Sequence, residues 1–283
     1  MRGRPRLLFE DDDEDDVPFE RVAGGNVAMP SVDINCDLGE GFGIYRAAPD
    51  EQIFPLISSA NIACGFHAGD PQTMRRCVEW AVRHGVSVGA HPGTPDLAGF
   101  GRRPMELSDS EFENALIYQV GALEGMCRAI GTQVHHVKPH GWLYNTAAKD
   151  GRLAAVIART IQKLNPNLRL FGLAGSQSLL AAQAIGLTHA SEAFIDRTYE
   201  SNGSLSDRSV AGSVITNPES AAQQCLDIVL KSTVKTASGA EVRIEADTLC
   251  VHGDNVNVLQ ILECVRGRLA AHNIQVRPLV ASG

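Results

Sequence analysis

Polar and apolar side chains alternate in two short segments of the sequence. In the first segment the polar residues are Asp33, Asn35 and Asp37; in the second, Lys138 and His140 lie two positions apart. If both segments are β-strands, the polar residues of each lie on one face, because successive side chains of a strand point to opposite sides. Carboxylates beside an imidazole and an ammonium group can move protons and stabilise a developing oxyanion. We therefore expect general acid–base chemistry.

Further titratable residues lie at or just beyond the ends of other predicted strands. A core that only provided stability would not tolerate so many ionisable groups, because burial without a partner is costly. We expect them to meet at one polar mouth. The candidate catalytic residues are Asp33, Asp37, Lys138, His140 and Arg197, and the candidate substrate-binding residues are Asn35, Glu40, Asn61, His67, Asp70, His91, Glu192, Asp196, His252 and Asp254.

The carboxylates at Asp33, Asp37 and Glu40, with histidines nearby, would suit a divalent cation that polarises a carbonyl or activates water. However, the sequence contains no H-E-x-x-H motif and no cysteine and histidine set with zinc spacing. The alternative is a hydrogen-bonded network that orients a substrate. We leave the metal open at this point.

Recognisable phosphate-binding and serine-hydrolase motifs are missing from the sequence. The segment from Glu40 to Gly43 lacks the third glycine of a dinucleotide fingerprint, and there is no G-x-x-x-x-G-K-[ST] or G-x-S-x-G motif. If ATP is used, this chain alone offers no recognisable means of binding it.

Short apolar segments alternate with amphipathic helices along the chain, as in parallel β/α folds. We predict a single seven-stranded β/α barrel, in which chemistry is located at the carboxyl ends of the strands. An open doubly wound sheet is the alternative, since periodicity does not show closure. The predicted strands are 31–37, 60–66, 86–91, 134–140, 168–173, 187–194 and 247–253.

The predicted helices have clear start and stop signals. Asp70 can cap a helix that ends at Gly85, and Ser108 with Glu111 can form a capping box for a helix that ends at Gly131. Three more helices are predicted at about 153–164, 176–186 and 258–269, and another begins at Asn217. Residues 233–246 resemble a hairpin with Ser238 and Gly239 at its tip.

The chain has 283 residues and a formal net charge of −8, part of which comes from an unbroken acidic run, Glu10 to Asp16. We expect residues 1–30 to be a disordered acidic extension and residues 31–283 to form the barrel. The acidic balance argues against a nucleic-acid or membrane-surface partner. No apolar stretch is long enough for a membrane span, and seven cysteines without a C-x-x-C pair are typical of a cytoplasmic protein.

Several long blocks of the sequence resemble the LamB/YcsF family, in the family's order. They are 33–43, 59–71, 89–93, 99–103, 135–145, 192–199 and 251–254, within a resemblance that covers about residues 31–283. Two positions depart from the family: Trp142 replaces a usual alanine, and Asn255 replaces a usual glycine. Both lie beside the predicted mouth and put the size or identity of the substrate in question.

The resemblance implies a barrel like that of glycoside hydrolases and deacetylases. It also implies ATP-dependent opening of 5-oxoproline, or a related lactam, to L-glutamate, together with two partner subunits of B and C type. In that reading Asp37 or Asp33 acts as the base for water, and His140 acts as acid or base. Lys138 and Arg197 bind the substrate carboxylate or an oxyanion. The alternatives are a metal-dependent carbohydrate or amide deacetylase and a non-catalytic scaffold subunit.

Overall fold

Seven parallel strands form a closed barrel in the computed structural model, which describes residues 29–236 and 239–279. Neighbours in chain order pair with one another, and the ring closes because the first strand also pairs with the last. The predicted barrel is therefore confirmed, and the open sheet is wrong. The barrel strands are β1 (Ser31–Leu38), β2 (Ser59–Ala63), β3 (Ser87–His91), β4 (Val134–Val137), β5 (Arg169–Leu173), β6 (His189–Phe194) and β9 (Thr248–His252).

The second and fourth strands end three residues earlier than predicted. β2 stops at Ala63, and Gly65 then adopts a left-handed φ of 91° that an L-residue rarely adopts. β4 stops at Val137, and the chain turns into a helix after His140. These turns place His67 and His140 in loops at the mouth, whereas His140 was predicted within a strand.

Helices surround the barrel, and their caps follow the sequence signals. The Asp70 carboxylate accepts hydrogen bonds from the amides of Gln72 and Thr73, and the helix ends at Gly85 with a φ of 66°. Ser108 and Glu111 form the predicted capping box. The helices are α1 (Asp50–Ile53), α2 (Pro71–His84), α3 (Asp109–Ile130), α4 (Gly141–Ala147), α5 (Gly151–Leu164), α6 (Gln177–Ala184), α7 (Pro218–Lys231) and α8 (Val258–Ala271). Short 3-10 turns span Phe54–Leu56 and Leu97–Gly99.

A two-stranded hairpin precedes the last barrel strand, as predicted. Its antiparallel strands are β7 (Thr233–Lys235) and β8 (Glu241–Arg243). The expected tip residue Ser238 lies outside the described residues, and so do residues 1–28 of the predicted acidic extension. A last short strand, β10 (Gln275–Val276), pairs with the start of β1 and was not predicted.

The apolar core lies between the barrel and its helices. Ile34, Cys36 and Leu38 of β1 are fully buried in it, while Asp33, Asn35 and the other polar residues of this strand face the barrel interior. This alternation confirms the predicted parity. Among the described helices, none combines the length and the apolar character needed to cross a bilayer.

Candidate active site

A cavity of about 390 Å³ opens at the carboxyl ends of the barrel strands. This is the end at which a β/α barrel carries its chemistry. The strands and the loops that follow them bring most of the predicted site residues to its walls. Those at the walls are Asp37, Glu40, His91, Lys138, His140, Arg197, His252 and Asp254.

Lys138 is a deeply buried cation of this cavity, with only 2% of its surface exposed. Its Nζ lies 2.9 Å from Asp37 Oδ1, 3.0 Å from Glu192 Oε1 and 2.9 Å from Cys250 Sγ. Burial disfavours the charged amine, but the Asp37, Cys250 and Glu192 groups raise the pKa of Lys138 well above its usual range. The ammonium group is therefore held charged at the base of the cavity.

Asp37 stands between Lys138 and the histidines. Its Oδ1 accepts hydrogen bonds from Lys138 and from Asn61 Nδ2 at 2.8 Å, and its Oδ2 lies 3.4 Å from His91 Nε2. Burial alone would raise the pKa of Asp37, but His91 and Lys138 hold it well below the usual range. Asp37 is thus a firmly ionised carboxylate.

Three histidines and Glu40 form a buried cluster on one side of the cavity. Glu40 Oε1 lies 3.2 Å from His67 Nε2, 3.3 Å from His140 Nδ1 and 3.9 Å from His91 Nε2. The rings of His67 and His140 are stacked with centroids 3.7 Å apart, whereas His91 meets His140 edge-on. One donor atom from each of the four residues falls within 4.8 Å of the others, so the cluster has the spacing to hold a metal ion.

Burial dominates the pKa values in this cluster. It lowers the pKa of His67 and of His140 well below the usual range, and the neighbouring histidines add to the effect. For His91, burial acts in the same direction, but the Asp37 carboxylate outweighs it and raises the pKa. Burial raises the pKa of Glu40 despite the opposing influence of His140 and His91.

His252 and Asp196 form a separate pair on the opposite wall. His252 Nδ1 lies 2.9 Å from Asp196 Oδ1, and the ring stacks on Phe194 with centroids 5.3 Å apart. Asn255, one of the two departures from the family pattern, donates to Asp196 Oδ2 at 3.2 Å. The buried carboxylate therefore fixes the orientation of an imidazole that reaches the cavity.

At the rim, Asp254 binds two arginines. Its Oδ2 accepts from Arg102 at 2.8 Å and from Arg208 at 3.1 Å. One carboxylate thus faces two guanidinium groups, both of which also line the cavity. The rim is a cationic patch suited to an anionic ligand.

Asp33 lies below the cavity. Its carboxylate accepts hydrogen bonds from the hydroxyls of Ser58, Ser59 and Thr248 at 2.6–2.7 Å, and it is absent from the cavity walls. Burial raises the pKa of Asp33 against these hydrogen bonds. The geometry supports a structural role for Asp33 in place of the predicted base.

Asn35 and Asn61 also lie below the cavity and connect the layer of Asp33 to the catalytic layer. Asn35 Nδ2 donates to Glu192 Oε1 at 2.9 Å, and Asn61 Nδ2 donates to Asn35 Oδ1 at 2.7 Å. These amides fix the carboxylates that hold Lys138. They position the site without facing the cavity.

Two further predicted residues serve local structure. Asp70 is the cap of α2 and also accepts from the amide of Gly43 at 2.9 Å. Arg197 reaches the cavity wall, but its guanidinium donates to the carbonyl oxygens of Ser206 and Ser213. These bonds hold the loop after β6, and the predicted contact of Arg197 with a substrate carboxylate or an oxyanion stays a prediction.

The sequence analysis missed several residues that contact the site. Tyr144 donates its hydroxyl to Glu192 at 2.6 Å, and the rim arginines Arg102 and Arg208 bind Asp254. Cys250 is buried, and its thiol contacts Lys138. Tyr144 and Arg102 lie in blocks that carry the family resemblance, and this was the available signal. Arg208 lies in a long loop whose path the sequence pattern does not reveal.

Similar known proteins cover nearly all of the barrel. The chain is 51% identical over 251 residues to the A subunit of 5-oxoprolinase from Tolumonas auensis, and the match spans 89% of this chain and 100% of that protein. It is 47% identical to the A subunit of 5-oxoprolinase from Bacillus subtilis, over 88% of this chain and 96% of the relative. The crystal structure of a lactam utilization protein from Thermus thermophilus is 44% identical and superposes with a TM-score of 0.83, over 88% of this chain and 100% of that one.

A model of the LamB/YcsF family matches residues 32–282, which include every barrel strand except the first residue of β1. All of the family's motif blocks except 59–71 supply residues to the cavity walls, and the loop at 204–208 supplies others. On the match and the geometry together, the chain belongs to the LamB/YcsF family.

Proposed function

We propose that this chain is the A subunit of an ATP-dependent 5-oxoprolinase, which opens 5-oxoproline, or a close lactam relative, to L-glutamate in the cytoplasm. The observation that carries the proposal is the identity of about half of all residues to proteins named as the A subunit of 5-oxoprolinase, over essentially their full length. The cavity supports it, because it combines an ammonium group, an oriented imidazole and a cationic rim.

A lactam carbonyl bound beside Lys138 would place its oxygen near a buried cation. As water attacks, a preorganised ammonium group would stabilise the negative charge on that oxygen or on the phosphoryl group bonded to it. The substrate's own carboxylate fits the rim, where Arg102 and Arg208 share one carboxylate partner. The reacting oxygen and the substrate carboxylate would thus each face a cationic side chain.

His252 is better suited than Asp37 to activate water. A carboxylate whose pKa is held well below the usual range is a weak base, whereas an imidazole with one unprotonated ring nitrogen can accept a proton from water. With Nδ1 donating its proton to Asp196, the other ring nitrogen of His252 carries the lone pair. A nitrogen of His252 also lies within 4.8 Å of Asp37 and Cys250, and so beside the groups that surround Lys138.

In this proposal the partner subunits bind the ATP. A five-membered lactam is a poor electrophile, so activation of its amide oxygen, as by phosphorylation, must precede or accompany attack by water. The chain has no recognisable phosphate-binding motif. The relatives are named as A subunits, which agrees with a complex in which B- and C-type subunits bind the nucleotide.

The test is glutamate release from 5-oxoproline and ATP, with the chain alone, with the partner subunits alone, and with the assembled complex. We expect activity in the complex only. Equal activity of the partner subunits without this chain would show that the chain is a dispensable scaffold. Opening of 5-oxoproline by the chain alone without ATP would refute the proposal that partner subunits bind the nucleotide.

A deacetylase is the second candidate, favoured by the cluster of Glu40, His91 and His140 beside the cavity. Acetate release from N-acetylated sugars or amides by the isolated chain distinguishes it. Deacetylation at a rate that exceeds glutamate formation by the complex would make this the function.

A further inference from the structure

A ring nitrogen of His91 and a ring nitrogen of His140 face each other at the cavity. His91 Nδ1 lies 2.7 Å from the carbonyl oxygen of Lys138, and His140 Nε2 lies 2.8 Å from that of Phe100. A carbonyl oxygen only accepts, so each of these outer nitrogens carries a hydrogen. In the neutral rings the inner nitrogens, His91 Nε2 and His140 Nδ1, are then unprotonated. They are 3.0 Å apart.

Two more electron-rich atoms border the same point. Glu40 Oε1 lies 3.3 Å from His140 Nδ1, and Asp37 Oδ2 lies 3.4 Å from His91 Nε2. All four residues are buried, so water does not screen the repulsion between these lone pairs. A cation must lie among them, either a proton on one imidazole or a metal ion.

The local charge favours a dication over a proton. Asp37 and Glu192 are buried carboxylates at the ammonium group of Lys138, and Glu40 is a third buried carboxylate beside the histidines. With all of these groups ionised, the formal excess is two negative charges. A divalent metal ion neutralises that excess, whereas a proton neutralises half of it.

The spacing also fits metal coordination. Metal–nitrogen and metal–oxygen bonds of about 2.1 Å in a tetrahedral site place the donor atoms about 3.4 Å from one another. The separations here are 3.0 Å between the two histidines, and 3.3 and 3.9 Å from them to Glu40. The outer hydrogen bonds to carbonyl oxygens are the kind that orient metal-bound histidines.

We propose that His91 Nε2, His140 Nδ1 and a Glu40 carboxylate oxygen bind one divalent first-row transition metal ion. Imidazole donors suit zinc, copper, iron and nickel better than magnesium and calcium. His67 is not a ligand in this proposal, because its ring is parallel to that of His140 at 3.7 Å. A metal in the plane of one ring would lie well outside the plane of the other.

Such an ion would border the cavity, where it would polarise a carbonyl group or lower the pKa of a bound water molecule. Metal binding does not depend on the identity of the substrate. It can therefore be tested separately from the proposed 5-oxoprolinase activity, and either proposal can fail without the other.

The experiment uses the full chain without a histidine tag, stripped with a chelator and dialysed. Calorimetric titration with Zn²⁺ should give one equivalent bound, and Co²⁺ should give the visible absorption of a low-symmetry site. Saturation should raise the melting temperature by several degrees, because the ligand binds only the folded state. Less than about 0.2 equivalents of Zn²⁺, Co²⁺ or Mn²⁺ bound at roughly 100-fold excess would overturn the proposal and leave a proton as the cation.

Three variants assign the ligands. His140→Gln and Glu40→Gln should each weaken Zn²⁺ binding at least about 100-fold, which is the scale of losing a ligand or its support. The exposed His272 provides the matched control, and His272→Gln should bind as the unaltered chain does. Undiminished binding in both cavity variants would overturn the assignment. If a variant does not fold, the stoichiometry and the Co²⁺ spectrum of the unaltered chain still decide whether a site exists.

Discussion

Asp33 and Asp37 point into the same barrel from the same strand, about 13 Å apart along it. The carboxylate of Asp33 accepts three hydroxyl hydrogen bonds and lies below the cavity. The carboxylate of Asp37 faces an ammonium group and an imidazole at the cavity wall. The two side chains lie on the same face of β1, but their hydrogen-bond and ion-pair partners differ.

The difference lies in what surrounds each carboxylate. Around Asp33, small hydroxyl side chains satisfy the oxygens and close the barrel floor. Around Asp37, an ammonium group and an imidazole share the carboxylate at the cavity wall. An inward carboxylate is structural where neutral donors satisfy it, and available for chemistry where charged groups share it. The following predictions test this rule.

Replacing the buried cation should have the largest effect. Lys138→Met should lower turnover of the assembled complex about 10²–10³-fold, the range expected for a lost oxyanion stabiliser. It should also lower the free energy of unfolding by about 3–5 kcal/mol, since Asp37 and Glu192 remain buried without their cation. Turnover per folded molecule and denaturant unfolding measure the two effects. Lys163→Met, on the surface of α5, is the control, and normal turnover in Lys138→Met would contradict the prediction.

His252→Gln should lower turnover about 100-fold, because the imidazole lost is the proposed base. Its melting temperature should change little, since the side chain is partly exposed and Asp196 keeps its bonds to the His252 amide and to Asn255. Rates at saturating substrate and thermal unfolding check both parts. A large loss of stability with normal turnover would instead assign His252 to the framework.

Asp33→Ala should show the reverse pattern. Three buried hydroxyls lose their acceptor, which should cost about 2–4 kcal/mol of unfolding free energy. Turnover of the folded variant should remain within about threefold of normal, because the residue does not reach the cavity. A 100-fold loss of turnover with unchanged stability would return Asp33 to the catalytic set and break the comparison.

Asp50 is a third carboxylate to compare with Asp33 and Asp37, because one of its oxygens is buried without a hydrogen-bond partner. Burial raises its pKa from 3.8 to about 6. The folded state therefore binds this proton more tightly than the unfolded state, and the chain loses stability as the pH rises from about 4 to about 6. Asp50→Asn should remove that loss and be about 1–2 kcal/mol more stable at pH 7. Unfolding at pH 4 and pH 7 checks it, and a variant destabilised at pH 7 would contradict it.

The smallest effect is expected at Trp142, which lines the cavity and stacks with Phe112 at 6.2 Å. Trp142→Ala should admit a bulkier lactam and change selectivity severalfold, about 1 kcal/mol. Trp80 packs on Phe54 away from the cavity and provides a control that should affect stability alone. An unchanged substrate profile for Trp142→Ala would place its ring at a packing or subunit contact.

Much of this site could be predicted because a strand alternates its side chains. The residue pattern of β1 placed Asp33, Asn35 and Asp37 inside the barrel, and the spacing of Lys138 and His140 placed them at its mouth. Alternation predicts the face of the strand on which a side chain lies but not its depth within the barrel. It therefore did not distinguish Asp33, below the cavity, from Asp37, at the cavity wall. That distinction depends on which side chains of neighbouring strands lie opposite, and this is a property of the register.

Loop residues were the least predictable. The path of the loop after β6 brings Arg208 to Asp254, 46 positions away, and no periodic pattern encodes such a return. The helix that begins after His140 is only seven residues long, and too short for an amphipathic signal. Asp70 and Arg197 were both predicted as site residues; the Asp70 side chain caps α2, and Arg197 lines the cavity while it binds loop carbonyl oxygens.

The hydrogen bond between Asp33 and Thr248 joins residues 215 positions apart, at the seam where β1 meets β9. Until that seam forms, β1 has only one barrel neighbour, and the polar row inside it remains open to water. Contacts of such sequence separation form slowly, because a long loop must be ordered first. Ring closure is therefore expected late in folding, and the cavity is completed only when the last barrel strand reaches the first.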